Sequence, residues 1–297
     1  MSLQISLAGG DERQYYMLLH LLEVLKEKDI KAQVTYYLTS FPVNASQTLS
    51  TRFPDTVTSV PTLNQALEQC RIFIGPVPFS RDGIHLFTPH SENALTLTEL
   101  ANAANKPDIL AGGNIPKYLQ QNMPKVSFLD FMKEENFLDI NSQLSAEGLL
   151  AYIIHHTKGS IRNSSCLVTG YGRFGAAIAN KLSCLGSRVF VYDRKQEKNP
   201  AILEAGYQCY DIRTYPPMKQ DFDFVINTIP APVIKAPFLR TLRKDCVLFE
   251  TASAPGGFDS DICQGLALKL VHCPGIPGKT APKAAGIAMA ESILTHL

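Results

Sequence analysis

Six residues constrain this chain more than any others: Gly170-Tyr171-Gly172-Arg173-Phe174-Gly175. They follow the apolar run Cys166-Leu167-Val168 and lead into small and apolar residues over 176–185. A β-rich run over 188–192 then closes at Asp193, eighteen positions after Gly175. A glycine triplet alone is weak evidence, because glycine turns are common. Set between a strand and a helix, with an acid closing the next strand, it predicts a dinucleotide-binding βαβ unit. Gly170 then makes the turn out of the strand, Gly172 lets backbone amides approach a pyrophosphate, and Gly175 lets the helix pack close. Arg173 and Phe174 lie within the loop, beside the cofactor, and the N-terminus of the helix that follows offers partial positive charge to the phosphates. Asp193 is placed to accept hydrogen bonds from the adenosine ribose. It repels a 2′-phosphate, which Arg194 and Lys195 could accept, so the expected cofactor is NAD or NADP with NAD favoured.

The sequence after this unit continues the pattern. A helix is predicted over 202–205 and strands over 207–210 and 223–227. The last of these opens into Thr228-Ile229-Pro230, small and apolar residues suited to contact ribose and nicotinamide. Strands over 246–249 and 268–272 and an Ala-rich helix over 284–294 complete a doubly wound parallel sheet. The first half also alternates strands (4–8, 33–38, 71–74, 108–111, 126–129) with helices (after Asp11, 62–69, 97–104), and reads as a smaller N-terminal α/β domain. Residues 39–60 read as a loop and 136–143 as a connector. A helix capped by Ser145 then runs to about 156, with Gly148 inviting close packing. The predicted domains are 1–142, on the substrate side, and 143–297, a Rossmann domain with its linker and C-terminal helices. The Gly9-Gly10 turn lacks the spacing of a second nucleotide site.

A length of 297 residues suits two domains. A net charge of +1 gives no electrostatic reason to expect nucleic acid or an anionic membrane as partner. The seven cysteines form no CxxC pair and no zinc-ligand spacing, so no metal is expected and the thiols read as reduced. Without a signal-like start or a membrane-length apolar run, the expectation is a cytoplasmic protein.

Several segments carry a more specific likeness. They are Gly9-Gly10-Asp11-Glu12-Arg13-Gln14, Ala146-Glu147-Gly148, Gly170 to Gly175, Ile226-Asn227-Thr228-Ile229-Pro230, Ser253-Ala254-Pro255-Gly256-Gly257-Phe258-Asp259, and the stretch from Pro274 to Gly286. In that order they resemble the A subunit of dipicolinate synthase, a two-domain family of spore-forming bacteria. The opening and closing segments are the specific ones, since the Rossmann elements are generic. The resemblance implies NAD(P)-dependent oxidation of a dihydro- or hydroxytetrahydro-dipicolinate to pyridine-2,6-dicarboxylate in the sporulating mother cell. It also implies the flavoprotein-like B subunit of dipicolinate synthase as partner. Two positions depart from the family pattern. Ala254 stands where a basic residue is expected, and Asp193 where many relatives have an uncharged or basic residue.

The implied substrate is a small dianion, which needs cations or free amides. Arg13 follows the Gly-Gly bend and could face an interdomain cleft, or be an ordinary solvated arginine. Lys279 and Lys283 lie in a Pro/Gly-rich loop at a helix N-terminus, where the dipole gives cations no reason to sit. Gly256-Gly257 and Gly112-Gly113-Asn114 offer backbone amides, or are plain turns. No general base stands out among His272, Cys273, Glu147 and the His155-His156 pair. The readings are therefore an oxidoreductase subunit, a cofactor-binding subunit whose partner does the chemistry, or a D-2-hydroxyacid dehydrogenase. The last expects an arginine that Ala252-Ser253-Ala254 does not supply. A homodimer is a prior for the fold only.

Overall fold

The computed structural model describes residues 2–89, 95–213 and 221–297. It divides into two compact units, Met1–Asn141 with Ala281–Leu297, and Ser142–Thr280. The first unit runs β1 (Leu3–Ala8), α1 (Arg13–Glu27), β2 (Ala32–Tyr37), α2 (Ala45–Arg52), β3 (Val57–Ser59), α3 (Leu63–Leu67) and β4 (Ile72–Ile74). It continues with α4 (Leu97–Asn102), β5 (Ile109–Gly112), α5 (Lys117–Asn122), β6 (Ser127–Asp130) and the start of α6 (Glu135–His156). The strands are parallel, in the order β3-β2-β1-β4-β5-β6. A parallel sheet is covered on both faces, so a central strand such as β4 is apolar throughout. Ile72, Phe73 and Ile74 are all buried, and separate apolar clusters lie on the two faces. Helix α1 joins one of them through Met17, Leu18, Leu21, Leu22 and Leu25, spaced three and four apart.

Residues 39–60 are not the predicted loop, because they carry α2 and β3. Ala45, Leu49 and Phe53 recur every four residues and are buried, but the intervening Ser and Thr hide that period. The first sheet therefore has as many strands as the second. Helix α6 is continuous over 22 residues, so 136–143 is helical and Ser145 lies within the helix rather than at its cap. Gly148 packs as closely as predicted: a Cβ there would stand 2.3 Å from both Ile276 Cγ2 and Thr280 Oγ1.

The second unit contains β7 (Ser165–Thr169), α7 (Arg173–Cys184), β8 (Arg188–Tyr192), α8 (Asn199–Glu204), β9 (Gln208–Cys209) and β10 (Phe224–Asn227). It ends with α9 (Ala236–Leu239), β11 (Val247–Glu250), α10 (Ser260–Gly265), β12 (Lys269–His272) and α11 (Ile276–Thr280). Its parallel order, β12-β11-β10-β7-β8-β9, repeats that of the first unit read from the other edge. The connection between its third and fourth strands includes 214–220, outside the described residues. Each sheet reverses winding between its first and fourth strands, and ligands of such sheets bind beyond the strand C-termini at that point.

The last helix, α12 (Pro282–Leu294), corrects the predicted division. Its position after the last Rossmann strand predicts that it packs on that domain. Instead Ala288, Met289, Ala290 and Ile293 share the cluster of Met17, Leu18 and Leu21. Gly286 permits the contact, since a Cβ there would lie 2.5 Å from the carbonyl oxygen of Arg13.

Candidate functional site

At the reversal point of the second unit, the carboxyl ends of β7 and β10 bear Gly170 and Thr228. Gly170 leaves its strand at φ 93°, a left-handed conformation that favours glycine. Thr228 Oγ1 donates to the carbonyl oxygen of Thr169 at 2.8 Å, bracing the two strand ends. A Cβ on Gly175 would stand 2.0 Å from the Gly170 carbonyl oxygen, so only glycine lets α7 start against the loop. Gly172 has the opposite surroundings: nothing lies within 4 Å of a Cβ built there. The backbone at the start of α7, where Arg173 is exposed, is thus open to an incoming anion. Gly172, Phe174, Thr228, Ile229 and Pro230 line a cavity of about 240 Å³ that extends to Asp193, Arg194 and Lys195. Larger cavities, about 450 and 310 Å³, lie in the first unit, lined by Lys31 and Ala32 or by Gln4 and Cys70 at the starts of strands. The strand-end position, not volume, marks this cavity as the candidate ligand site.

Asp193 occupies the predicted place with its carboxylate engaged. Oδ2 accepts from the Tyr171 backbone N–H at 2.7 Å and from Lys198 Nζ at 3.2 Å, and Oδ1 accepts from Lys195 N–H at 2.9 Å. Burial pushes its pKa up, but these donors outweigh it and hold the carboxyl below its ordinary value. Lys198, for which no sequence pattern predicts a role, also donates to the Tyr171 carbonyl at 2.9 Å.

The glycine amides predicted to face substrate have partners of their own. Glu250, 6% exposed at the end of β11, accepts from Gly257 N–H at 2.7 Å, Phe258 N–H at 3.2 Å and Ala252 N–H at 3.0 Å. Gly256 N–H donates to the Ser253 carbonyl. Asn227, fully buried, adds an Nδ2–H to Glu250 at 2.7 Å and accepts from Thr169 Oγ1 at 2.6 Å. In the first unit Asp130, ending β6, accepts from Asn114 and Ile115 N–H at 2.9 and 3.2 Å. Gly113 N–H donates to the Pro76 carbonyl, and Val77 fills the space where a Gly113 side chain would be. The expectation of free amides is corrected at both pairs, because buried carboxylates or loop carbonyls already take them.

Arg13 is not solvated. At 5% exposure it pairs with Asp11, Nε to Oδ1 at 2.7 Å and Nη2 to Oδ2 at 2.8 Å, and donates to the Val77 carbonyl. Asp11 also accepts the Arg13 backbone N–H at 3.2 Å, but the N-cap position of α1 is Glu12, which has no side-chain cap hydrogen bond. Phe87 crosses this turn, its carbonyl accepting from Gly10 N–H. Lys279 is exposed within α11 rather than in a loop, and Lys283 is exposed at the start of α12. Glu147 pairs with Lys181 at 3.2 Å. His272 is exposed, whereas Cys273 is buried and its thiol pushed up to about 12 by that burial.

Two sheets of one doubly wound order, the second with an open glycine loop at its reversal point, define a Rossmann-type protein of the dehydrogenase plan. A family profile describing the N-terminal domain of the dipicolinate synthase A subunit matches residues 4–130. The A subunit of dipicolinate synthase of Bacillus subtilis (strain 168) is 30% identical over 167 residues, a match spanning 56% of each chain. Solved structures of the dipicolinate synthase A subunit from Bacillus halodurans and from Bacillus subtilis each superpose with TM-score 0.79 at 25% identity. The first match covers 99% of this chain and 97% of the other, the second 100% and 96%. A transhydrogenase from Sinorhizobium meliloti shares the fold at TM-score 0.66 and 12% identity, covering 98% of this chain and 92% of that one. Over residues 4–130 the chain is thus similar to the A subunit of dipicolinate synthase, and over its whole length it shares the fold of that subunit's solved structures. No helix among the described residues is long and apolar enough to cross a membrane.

Proposed function

We propose that this chain is the nicotinamide-dinucleotide-binding subunit of a dipicolinate synthase that works with a second subunit in sporulating cells. The observation that carries this is the open glycine loop with its cavity at the reversal point of the second sheet. When bound there, the dinucleotide supplies hydride acceptance. Gly172 and the start of α7 would hold its phosphates, and Thr228-Ile229-Pro230 would position the ring without adding charge. A dihydrodipicolinate loses one hydride and one proton to become pyridine-2,6-dicarboxylate, and a hydroxytetrahydro form loses water as well. Gaining an aromatic ring drives the step. We assign exposed Lys279 to a substrate carboxylate. Arg13, matched by Asp11, supports the turn around it.

A second reading, a cofactor-binding subunit whose partner supplies the proton acceptor, is favoured by one observation. Asp193 and Glu250, the acids at the strand ends of the second unit, are both occupied as hydrogen-bond acceptors. The test is reduction of dinucleotide during oxidation of dihydrodipicolinate by the chain alone and with its partner. Turnover by the pair is expected, and turnover by the chain alone would remove the second reading. A pair that makes dipicolinate without reducing dinucleotide would sink the proposal.

A further inference from the structure

The first sheet has a reversal point of its own, between β1 and β4, and the loops that leave those strands are equipped for a different ligand. The turn after β1 is Gly9-Gly10, with both glycines in the left-handed region at φ 67° and 83°. It is too full to take a pyrophosphate as the open loop at Gly172 can. A Cβ on Gly10 would stand 2.4 Å from Gln14 Cγ, whereas nothing lies within 4 Å of one on Gly172. What fills the turn is the Gln14 side chain, from the start of α1. Gln14 is 1% exposed, and among the described residues neither its Oε1 nor its Nε2 has a hydrogen-bond partner. A buried amide is rarely left unpaired, because that forfeits the hydrogen bonds it had in water. This one marks a place where a ligand's polar group belongs.

The loop that leaves β4 brings a cation to the same turn. Phe87, whose carbonyl accepts from Gly10 N–H, carries the guanidinium of Arg81 on its ring, with the guanidinium carbon 3.8 Å from the ring centroid. Arg81 is exposed, and among the described residues it has neither a hydrogen bond nor an ion pair. Seating on the ring takes the guanidinium partly out of water. That burial lowers its pKa, with Asp11 opposing the effect and Arg13 adding to it. The neighbouring acids are spent elsewhere. Asp11 holds Arg13 through both oxygens, and Asp82 accepts from Ser80, Ile84 and His85 in its own loop. The five N–H donors of a guanidinium lie in its plane, so a ring beneath it leaves them free for a planar anion.

We infer that the first unit binds one carboxylate of the substrate at this turn, with Arg81 as its cation and the Gln14 amide completing the contact. The guanidinium fork forms charged hydrogen bonds with the two carboxylate oxygens. The amide is covered by its neighbours, and because it is unpaired no hydrogen bond of its own has to break when the carboxylate takes it. This deepens the proposed function and rests on its substrate, a small ring dicarboxylate.

The test is calorimetric titration of the whole chain with dipicolinate, alone and in saturating NAD⁺ or NADP⁺. Dipicolinate is expected to bind, and Arg81→Ala to weaken it about tenfold or more with dinucleotide binding unchanged. Arg81→Lys should recover only part of the loss, since an ammonium lacks the fork. Gln14→Leu removes an amide that bonds to nothing in the protein, so the melting temperature should not fall, while dipicolinate binds severalfold more weakly. Wild-type affinity for dipicolinate in Arg81→Ala or in Gln14→Leu overturns this inference, as does equal weakening of dipicolinate and dinucleotide by Arg81→Ala. Dinucleotide binding without any dipicolinate binding overturns it too, and leaves the dinucleotide site standing. Binding of neither overturns both.

Discussion

Three acids close strands of this protein, and each turns its carboxylate onto backbone amides rather than to solvent. Asp130 follows this pattern in the first unit, and Asp193 and Glu250 in the second. In sequence an acid at a strand end reads as a ribose ligand or as nothing in particular. Asp193 was legible because the glycine spacing pointed to it, whereas Glu250 and Asp130 have no spacing pattern that marks them. Which amides a carboxylate takes depends on the path of the following loop, and no local pattern encodes that path. Glu250 makes the consequence measurable. Its two oxygens accept from Asn227, Ala252, Gly257 and Phe258. Glu250→Gln would set an amide donor against a donor on one side, leaving buried groups unpaired. The variant should lose about 2 kcal/mol or more of stability, read as a lower urea midpoint with an unchanged slope. Wild-type stability would mean that the loop re-forms around a neutral side chain.

Elements with a strong period were legible, and those whose burial depends on distant partners were not. The runs at 188–192 and 72–74 are apolar because neighbours cover them, and the glycine loop needs its residues wherever it occurs. Helix α2 was hidden by Ser and Thr, and α6 by polar residues in its first turns. Helix α12 was visible as a helix, but its partner was not, because small residues on most of its faces fit either unit. Gly286 is the position that commits it to α1, with Arg13 and Met17 backbone atoms 2.5 and 2.8 Å from where a Cβ would stand. Gly286→Val should force the two helices apart and cost about 1–3 kcal/mol. Thermal denaturation checks this. A melting temperature equal to wild type would show that α12 can slide on α1 without loss.

For the whole molecule, the question is whether the two units open together. Each has its own apolar clusters, yet the first is completed only by residues 281–297, after the second has been traversed. The cysteines report on this directly. Cys184 and Cys209 are exposed, whereas Cys70 lies in the first unit and Cys166, Cys246, Cys263 and Cys273 in the second, all five buried. Burial pushes the Cys70 and Cys263 thiols up to about 11 and those of Cys166, Cys246 and Cys273 up to about 12. A thiol reagent needs an accessible thiolate, so at neutral pH two groups should react at once and five only when their unit opens. A dinucleotide bound at the glycine loop stabilises only the unit that holds it. At a hundredfold excess over Kd that amounts to about 2.7 kcal/mol, or roughly a hundredfold fewer openings. Mass-spectrometric labelling should therefore show the four second-unit thiols slowed by that factor while Cys70 keeps its rate. Equal slowing of Cys70 would mean instead that helix α12, returning from the second unit to the first, makes the chain open as one cooperative body.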